Sequence, residues 1–331
     1  MQDIKVSVIV PIHGVDKYLD QCLSSLLNQK FDYKYEVICV NDTPNDNSPQ
    51  IIDKYVNLKN DVFKRLDVFN RNVSYTRNDG LKAASGDYVI FIDGDDFVDE
   101  NLLQILYQNA IKNDAEVVIY NFYMYKKGKN KRFFSSFFAP SGLKTSKKCI
   151  KMLMNDIQLR SYSRLKFVKR SLLIDNNIQF ISIKKVLEDY TYSFMVLTKA
   201  NRISCIKDRL YFYRFSDNSI TNTWHNFHTI QIFLSAYAIT KIYAVMNNTK
   251  FVFPSFVKLY FLIYLFFQSI HSENKLKKSI AFRQILRQFW LIKKEIVYTN
   301  APWEEEAKIV LNGLKLAETT TISKDKIFEI N

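Results

Sequence analysis

DYVIFIDGDD, residues 87–96, decides the fold. Its middle, Tyr88 to Ile92, is β-branched and aromatic and carries no charge, the composition of a strand buried on both faces. It runs without a linker into Asp93, Gly94, Asp95 and Asp96. Three carboxylates within four residues repel one another unless positive charge lies among them. Two readings fit. One is a divalent cation with oxygen ligands, Mg or Mn, that also carries phosphates. The other is a solvated acidic turn, for which Asp-Gly is equally good chemistry.

Upstream, apolar runs alternate with helical patterns. Residues 6–10 (VSVIV) read as a strand ended by Pro11, and residues 19–29 place Leu19, Leu23, Leu26 and Leu27 on one helical face. Residues 37–40 read as a second strand closed by Asn41-Asp42-Thr43-Pro44, and Ser48-Pro49 opens the next helix. Residues 73–75 are expected as a third short strand, and residues 77–84 as a short helix ending near Gly86. A further helix is expected over 100–113. Strand and helix at this spacing imply βαβ units and a mostly parallel sheet. In such sheets ligands collect beyond the C-terminal strand ends. Residues 11–13, Asn41-Asp42 and the acidic stretch all fall there. Neither a GxGxxG nor a GxxxxGK[ST] occurs, which weighs against a dinucleotide fingerprint and a P-loop.

Four stretches together resemble the inverting family 2 glycosyltransferases of the GT-A fold, the bacterial surface-polysaccharide type. They are VSVIVPIHGVDKYLDQCLSSLLNQ at 6–29, YEVICVNDTPNDNS at 35–48, NVSYTRNDGLKAASGDYVIFIDGDD at 72–96 and LEDYTYSF at 187–194. The resemblance covers roughly residues 5–220. It implies a GT-A, Rossmann-like α/β fold with a mostly parallel sheet flanked by helices. It implies Asp93 and Asp95 as the DxD-type pair, with Asp95 on Mn or Mg at the donor diphosphate and Asp93 near the ribose. Asp42 would accept from the uracil N–H, Pro11 and His13 would line the nucleobase pocket, and Arg77 would lie beside the nucleotide. Asp189 would be the general base with Glu188 in support. A Tyr-Arg…Ser-Ile run, here Arg214 with Ser219-Ile220, would close the catalytic domain near the diphosphate, where Arg214 either neutralises phosphate or makes a structural salt bridge. Asn41, Thr43-Pro44, Asn72 and Gly94 depart from the family's usual residues. The implied reaction moves a hexose or N-acetylhexosamine from a UDP-sugar to a glycan hydroxyl, the acceptor being a surface polysaccharide or an undecaprenyl-diphosphate-linked oligosaccharide. The rival readings are a sugar-phosphate nucleotidyltransferase and a non-catalytic glycan- or nucleotide-binding protein. Pro11-Ile12-His13 lacks the glycine-rich basic loop of the first, and the retained Asp42, Asp93, Asp95 and Asp189 argue against the second.

The 331 residues carry 47 Lys+Arg against 33 Asp+Glu, a formal charge of +14, which suits a polyanion, an anionic membrane face or an anionic substrate. Cysteines 22, 39, 149 and 205 form no CxxC pair and are expected as reduced thiols of a cytoplasmic protein. No signal peptide is expected from the N-terminal residues. Residues 115–120 read as a strand, and the basic run 126–132 (KKGKNKR) as an exposed loop or a flap near a phosphorylated acceptor or membrane. It adjoins Phe133 and Phe134, but no RRM, KH or zinc-finger pattern accompanies it, so no nucleic acid is expected. Lys166 and Lys169 are candidates to meet phosphate or simply surface bases. Residues 200–206 and 210–213 read as two short strands.

From Trp224 the texture turns helical, with apolar residues at helical spacing over 227–245, 256–269, 276–294 and 304–316. The expected division is therefore a catalytic domain, 1–222, and a helical C-terminal domain, 223–331. Residues 251–270 are interrupted by Lys258, and the apolar run left is too short to span a bilayer. Between 251 and 300 eight Lys/Arg face two acids among many aromatics, which suits amphipathic helices on the inner face of a bacterial plasma membrane. A helical domain packed on the catalytic one, or a homodimer interface, is the competing reading.

Overall fold

β1 (Val6–Ile12) is buried along its whole length, as its apolar run requires, and forms the middle of the first half of the sheet. The computed structural model describes residues 3–42, 46–125, 132–134, 141–155, 161–181 and 188–214. The chain divides into Met1–Thr223 and Trp224–Asn331, and every described residue belongs to the first unit. The expected C-terminal helices, Thr43-Pro44, residues 126–131 of the basic run and Ser219-Ile220 lie outside the described residues.

After β1 come α1 (Asp16–Leu27), β2 (Tyr35–Asp42), α2 (Ser48–Leu58), β3 (Phe63–Val68), α3 (Val73–Ala83), β4 (Tyr88–Phe91) and β5 (Phe97–Val98). Then follow α4 (Leu102–Asn113), β6 (Val117–Tyr125), β7 (Arg132–Phe134), β8 (Gly142–Lys144) and α5 (Ser146–Asn155). A 3-10 turn (Ser163–Leu165), β9 (Lys166–Lys169), α6 (Arg170–Asp175), α7 (Glu188–Lys199) and β10 (Ile203–Arg214) complete the described residues.

The strands join in the order β3-β2-β1-β4-β9-β6-β10-β5, with β7 on β6 and β8 on β10. β3, β2, β1 and β4 are mutually parallel, as are β6 and β10. β9 lies antiparallel between β4 and β6. The expected mostly parallel sheet is present, wholly parallel in its first half and mixed in its second. Because β9 reverses direction twice over, the C-terminal ends of β1, β2, β4, β6 and β10 still meet at one edge.

Two expectations change. Residues 73–75 begin α3 rather than a strand, because the Asn72 side chain caps the helix by accepting from Ser74 N–H at 2.9 Å. The third strand is instead β3, an edge strand whose Lys64 and Arg65 are exposed. The two short strands expected over 200–213 are one strand, β10, with register shifts near Arg209. α3 packs very close to the sheet, since a Cβ at Gly80 would overlap the side chains of Ile9 and Val40.

At the opposite, N-terminal edge Glu36 ties four segments together. It is fully buried and accepts from Ser7 Oγ at 2.6 Å, from Ser85 N–H and Oγ at 2.7 Å, and from Lys64 Nζ at 2.6 Å. Burial acts to raise its pKa, but Lys64, Ser7 and Ser85 outweigh burial and hold it below the ordinary glutamate value. Glu36→Ala would strand the Ser7 and Ser85 donors, while half-exposed Lys64 adds little. The expected loss is about 2–3 kcal/mol in urea unfolding, with turnover per folded molecule unchanged. A loss below about 0.5 kcal/mol would remove Glu36 from this role. With a depressed folded pKa, this contribution is complete above the unfolded glutamate value and disappears as pH falls through the folded one.

Candidate active site

The acidic turn sits where β4 ends at the shared edge. Asp96 N–H closes it on the Asp93 carbonyl at 3.0 Å. Asp96 is fully buried and points inward, accepting from Tyr211 Oη at 2.5 Å and from Arg214 N–H at 2.7 Å. Tyr211 Oη accepts in turn from Asp93 N–H at 3.3 Å. Burial, then the Asp95 charge, pushes the Asp96 pKa well above the ordinary carboxylate value. Asp96 is thus the anchor that holds the turn to the end of β10.

Arg214 completes this lock. Its Nε donates to the Asp95 carbonyl at 2.8 Å and its Nη2 to Gln21 Oε1 at 2.7 Å, with Tyr18 and Tyr125 rings 4.6 and 5.3 Å from the guanidinium. The alternatives for Arg214 were phosphate neutralisation and a structural salt bridge. It is buried and engages backbone, amide and aromatic rings, with no carboxylate side chain paired to its guanidinium among the described residues.

Asp93 and Asp95 part company. Asp93 Oδ1 accepts from Arg77 Nη2 at 2.9 Å and Oδ2 from Arg164 Nη1 at 2.7 Å. Burial opposes its charge, but Arg77 and then Arg164 hold its pKa below the ordinary value. The Asp95 carboxylate is half-buried and has no side-chain partner among the described residues. Burial, then the neighbouring Asp93 charge, raises its pKa. Among the described residues no three His, Cys, Asp or Glu side chains form a ready metal cage. A single desolvated, unpaired carboxylate fits a cation that takes its other oxygens from phosphate and water, as Mg and Mn do. Asp93 fits poorly as a direct ligand, because a guanidinium covers each of its oxygens.

Arg77 is the second junction. It is 4% exposed, and its Nη1 reaches Glu188 Oε1 at 3.1 Å and Asp189 Oδ1 at 3.4 Å. Burial works against its charge, but Asp189, Asp93 and Glu188 together raise its pKa. Arg77, expected beside the nucleotide, pairs with three carboxylates. Asp189 and Glu188 open α7, and Asp189 is 17% exposed at the lip of the site. Burial, then the Asp189 charge, raises the Glu188 pKa.

The sequence reading missed Arg164. Its guanidinium lies between Tyr162 and Tyr213, 4.4 and 4.7 Å from the ring centres. It stands just before β9, and the start of an antiparallel strand falls at the same edge as the ends of its parallel neighbours. Lys166 is fully buried and donates to the Tyr162 carbonyl at 2.8 Å, so it meets no phosphate. Lys169 pairs with Tyr88 at the far end of β4, away from the acidic turn.

On the other flank, Pro11 is buried in β1 opposite Val40, and exposed His13 follows. His13 Nδ1 donates to the Asp42 carbonyl at 2.7 Å, which leaves Nε2 as an acceptor in the neutral ring. Asp42 is 2% exposed. Its Oδ1 accepts from Asn70 and Arg71 N–H at 2.7 and 2.9 Å, and its Oδ2 from Asn72 N–H at 3.2 Å and Thr76 Oγ1 at 2.9 Å. These four donors fill the carboxylate's lone-pair positions. Asp42 therefore shapes the β3–α3 loop, and the base N–H expected there would share an oxygen with these donors.

Comparison with known proteins follows the same outline. The model of a family described as "Glycosyl transferase family 2" matches residues 7–185. The uncharacterized glycosyltransferase EpsJ of Bacillus subtilis is 32% identical over 231 residues, 65% of this chain and 62% of its own length. The cholesterol galactosyltransferase of Borreliella burgdorferi is 27% identical over 329 residues, 95% of this chain and 86% of that protein. The crystal structure of Staphylococcus aureus TarS 1–349 in complex with UDP-GlcNAc superposes with a TM-score of 0.64 at 24% identity, covering 75% of this chain and 68% of that one. That likeness shows a GT-A-like Rossmann fold. The chain spans less than two thirds of EpsJ.

Proposed function

The chain belongs to glycosyl transferase family 2, and from that premise we propose that it moves a hexose or N-acetylhexosamine from a UDP-sugar to a hydroxyl of a surface polysaccharide or lipid-linked glycan, with inversion. One observation carries the reading. Arg77 joins the edge carboxylate Asp189 to Asp93, and the unpaired carboxylate Asp95 stands two residues from Asp93 in the same turn at the shared strand ends.

The donor would lie across the ends of β1, β2 and β4. Pro11 and His13 would border the base, with His13 Nε2 offering an acceptor. Asp95 would hold Mn or Mg, whose charge offsets the charge developing on the departing UDP. Asp93, held by its two arginines, would present a fixed negative edge to the ribose side. Asp189 would accept the acceptor hydroxyl proton on Oδ2, the oxygen that no described residue occupies, as that hydroxyl displaces UDP from the opposite face. One displacement inverts the anomeric carbon, so an α-linked donor gives a β-glycoside. TarS of Staphylococcus aureus, a poly(ribitol-phosphate) β-N-acetylglucosaminyltransferase with a crystal structure in complex with UDP-GlcNAc, supports the donor class and the outcome. The relative matched over almost the whole chain is named for transfer to cholesterol, which supports an acceptor carried on or in a lipid surface. No helix among the described residues is long and apolar enough to cross a membrane. The basic, aromatic residues beyond 250 would supply peripheral attachment to the cytoplasmic face.

A screen of UDP-Glc, UDP-Gal, UDP-GlcNAc and UDP-GalNAc beside their GDP and dTDP counterparts tests this. The expected result is nucleotide release from a UDP-sugar only, with a product of inverted anomeric configuration by NMR. A product of retained configuration would defeat the single-displacement mechanism, and pyrophosphate release from UTP and a sugar phosphate would defeat the enzyme class.

A further inference from the structure

We infer that Arg77 and Asn78 are positioning residues for the acceptor-side base, not contacts of the donor. The inference rests on the reading of Asp189 as that base. The two side chains leave adjacent positions of α3 and grip the chain on either side of residues 182–187. Asn78 clasps the backbone of Phe180: its Nδ2 donates to the Phe180 carbonyl at 2.9 Å, and Phe180 N–H donates to Asn78 Oδ1 at 2.8 Å. Arg77 holds Glu188 and Asp189 from below. The Phe180 ring ties the two grips together. It stacks on Tyr192 of α7 with centroids 4.1 Å and planes 5° apart, meets Phe91 of β4 edge-on at 4.9 Å, and lies 5.1 Å from the Arg77 guanidinium. One turn of α3, itself seated tightly on β1 and β2 at Gly80, thereby references the catalytic carboxylates to the sheet.

Neither side chain is free to meet a nucleotide. Both are buried, and both polar atoms of the Asn78 amide lie on Phe180. Both terminal nitrogens of Arg77 already face carboxylates, Nη1 those of Glu188 and Asp189 and Nη2 that of Asp93, while its buried Nε meets no hydrogen-bond partner. The charge balance is also asymmetric. Asp93 is held twice, by Arg77 and by Arg164, so the donor side keeps a counter-charge when Arg77 is lost. Among the described residues, Glu188 and Asp189 are paired with Arg77 alone. Loss of Arg77 therefore falls on the base, and a misplacement of about 1 Å there is enough to cost about 100-fold.

The test uses the full chain with Arg77→Lys, Arg77→Met and Asn78→Ala. UDP affinity is measured by calorimetry with Mn, and kcat and the donor KM by a transfer assay. The expected result is a fall in kcat of about 10–100-fold with UDP Kd and donor KM within about twofold of wild type. Arg77→Lys should recover part of the loss in Arg77→Met, because an ammonium restores the charge but not the fork that spans three carboxylates. Asn78→Ala leaves that charge in place and should still lower kcat, so it decides the matter if Arg77→Met does not fold. A tenfold loss of UDP affinity in Arg77→Lys with kcat preserved would make Arg77 a donor contact and overturn the inference. So would wild-type kcat in both Arg77→Lys and Asn78→Ala. Asp189→Asn in the same assay separates the two levels. If Asp189→Asn is dead and the α3 variants are unimpaired, only this inference fails. If Asp189→Asn turns over normally, the base reading itself fails.

Discussion

Asp189→Asn should lower kcat by about 10²–10⁴-fold and leave UDP binding within about twofold of wild type. The substitution is nearly isosteric. The asparagine carbonyl can still accept from Arg77 Nη1, and Arg77 keeps its pairs with Glu188 through Nη1 and with Asp93 through Nη2. What disappears is the ability to take a proton from the acceptor hydroxyl. Glu188 is a poor substitute, since it lies closer to Arg77, at 3.1 Å against 3.4 Å for Asp189, and is slightly less exposed. Glu188→Gln should therefore cost less than Asp189→Asn in the same transfer assay. Turnover of Asp189→Asn at the wild-type rate would move the base elsewhere.

Asp95→Asn should abolish the metal-dependent part of donor binding. In calorimetry the wild-type protein should bind UDP more tightly with Mn than without, and the variant should bind equally in both. The same change should stabilise the metal-free protein at neutral pH. Asp95 is desolvated beside the Asp93 charge, and its folded pKa lies above the ordinary carboxylate value. A raised carboxyl pKa means that the folded state binds the proton more tightly. Stability is therefore gained as pH falls through the folded value, and a penalty is carried above it. The neutral amide removes that penalty, so the melting temperature without metal should rise while function is lost, a trade typical of active sites. A falling melting temperature, or Mn-dependent UDP binding retained by the variant, would take the metal away from Asp95.

Much of this was legible in the sequence for a definite reason. Apolar runs as short and as rich in β-branched and aromatic residues as VSVIV and YVIF read as buried strands, and the alternation with helical faces indicates which strand ends share an edge. Asp93, Asp95, Asp189 and Arg77 were picked out in this way and through family resemblance. Their partners were not, because each contact joins distant segments: Asp42 to the loop at 70–72, Arg77 to α7, Asp96 to β10. The resemblance placed Asp42 and Arg77 beside the nucleotide, but not the loop donors that Asp42 accepts from or the carboxylates that Arg77 pairs with. β3 was hidden by the charges that suit an edge strand. Arg164 was hidden by a rule about strand ends that holds for parallel strands, whereas Arg164 arrives at the start of a reversed one. The Asn72 cap was readable, and it should have turned residues 73–75 from strand to helix.

The lock on the acidic turn has a consequence for synthesis. Asp96 is secured by Tyr211 and Arg214, which follow it by more than a hundred residues. A nascent chain emerges N-terminus first, and its early segments can pair before the late ones exist. β1 to β4 can therefore assemble while the buried Asp96 carboxyl still lacks both of its donors. Only when residue 214 has cleared the ribosomal exit tunnel can the turn be pinned, after Asp189 has already emerged. The turn is thus fastened only when β10 has been made, and a stalled chain lacking β10 would carry every acidic residue of the site without the fastening that sets them in place.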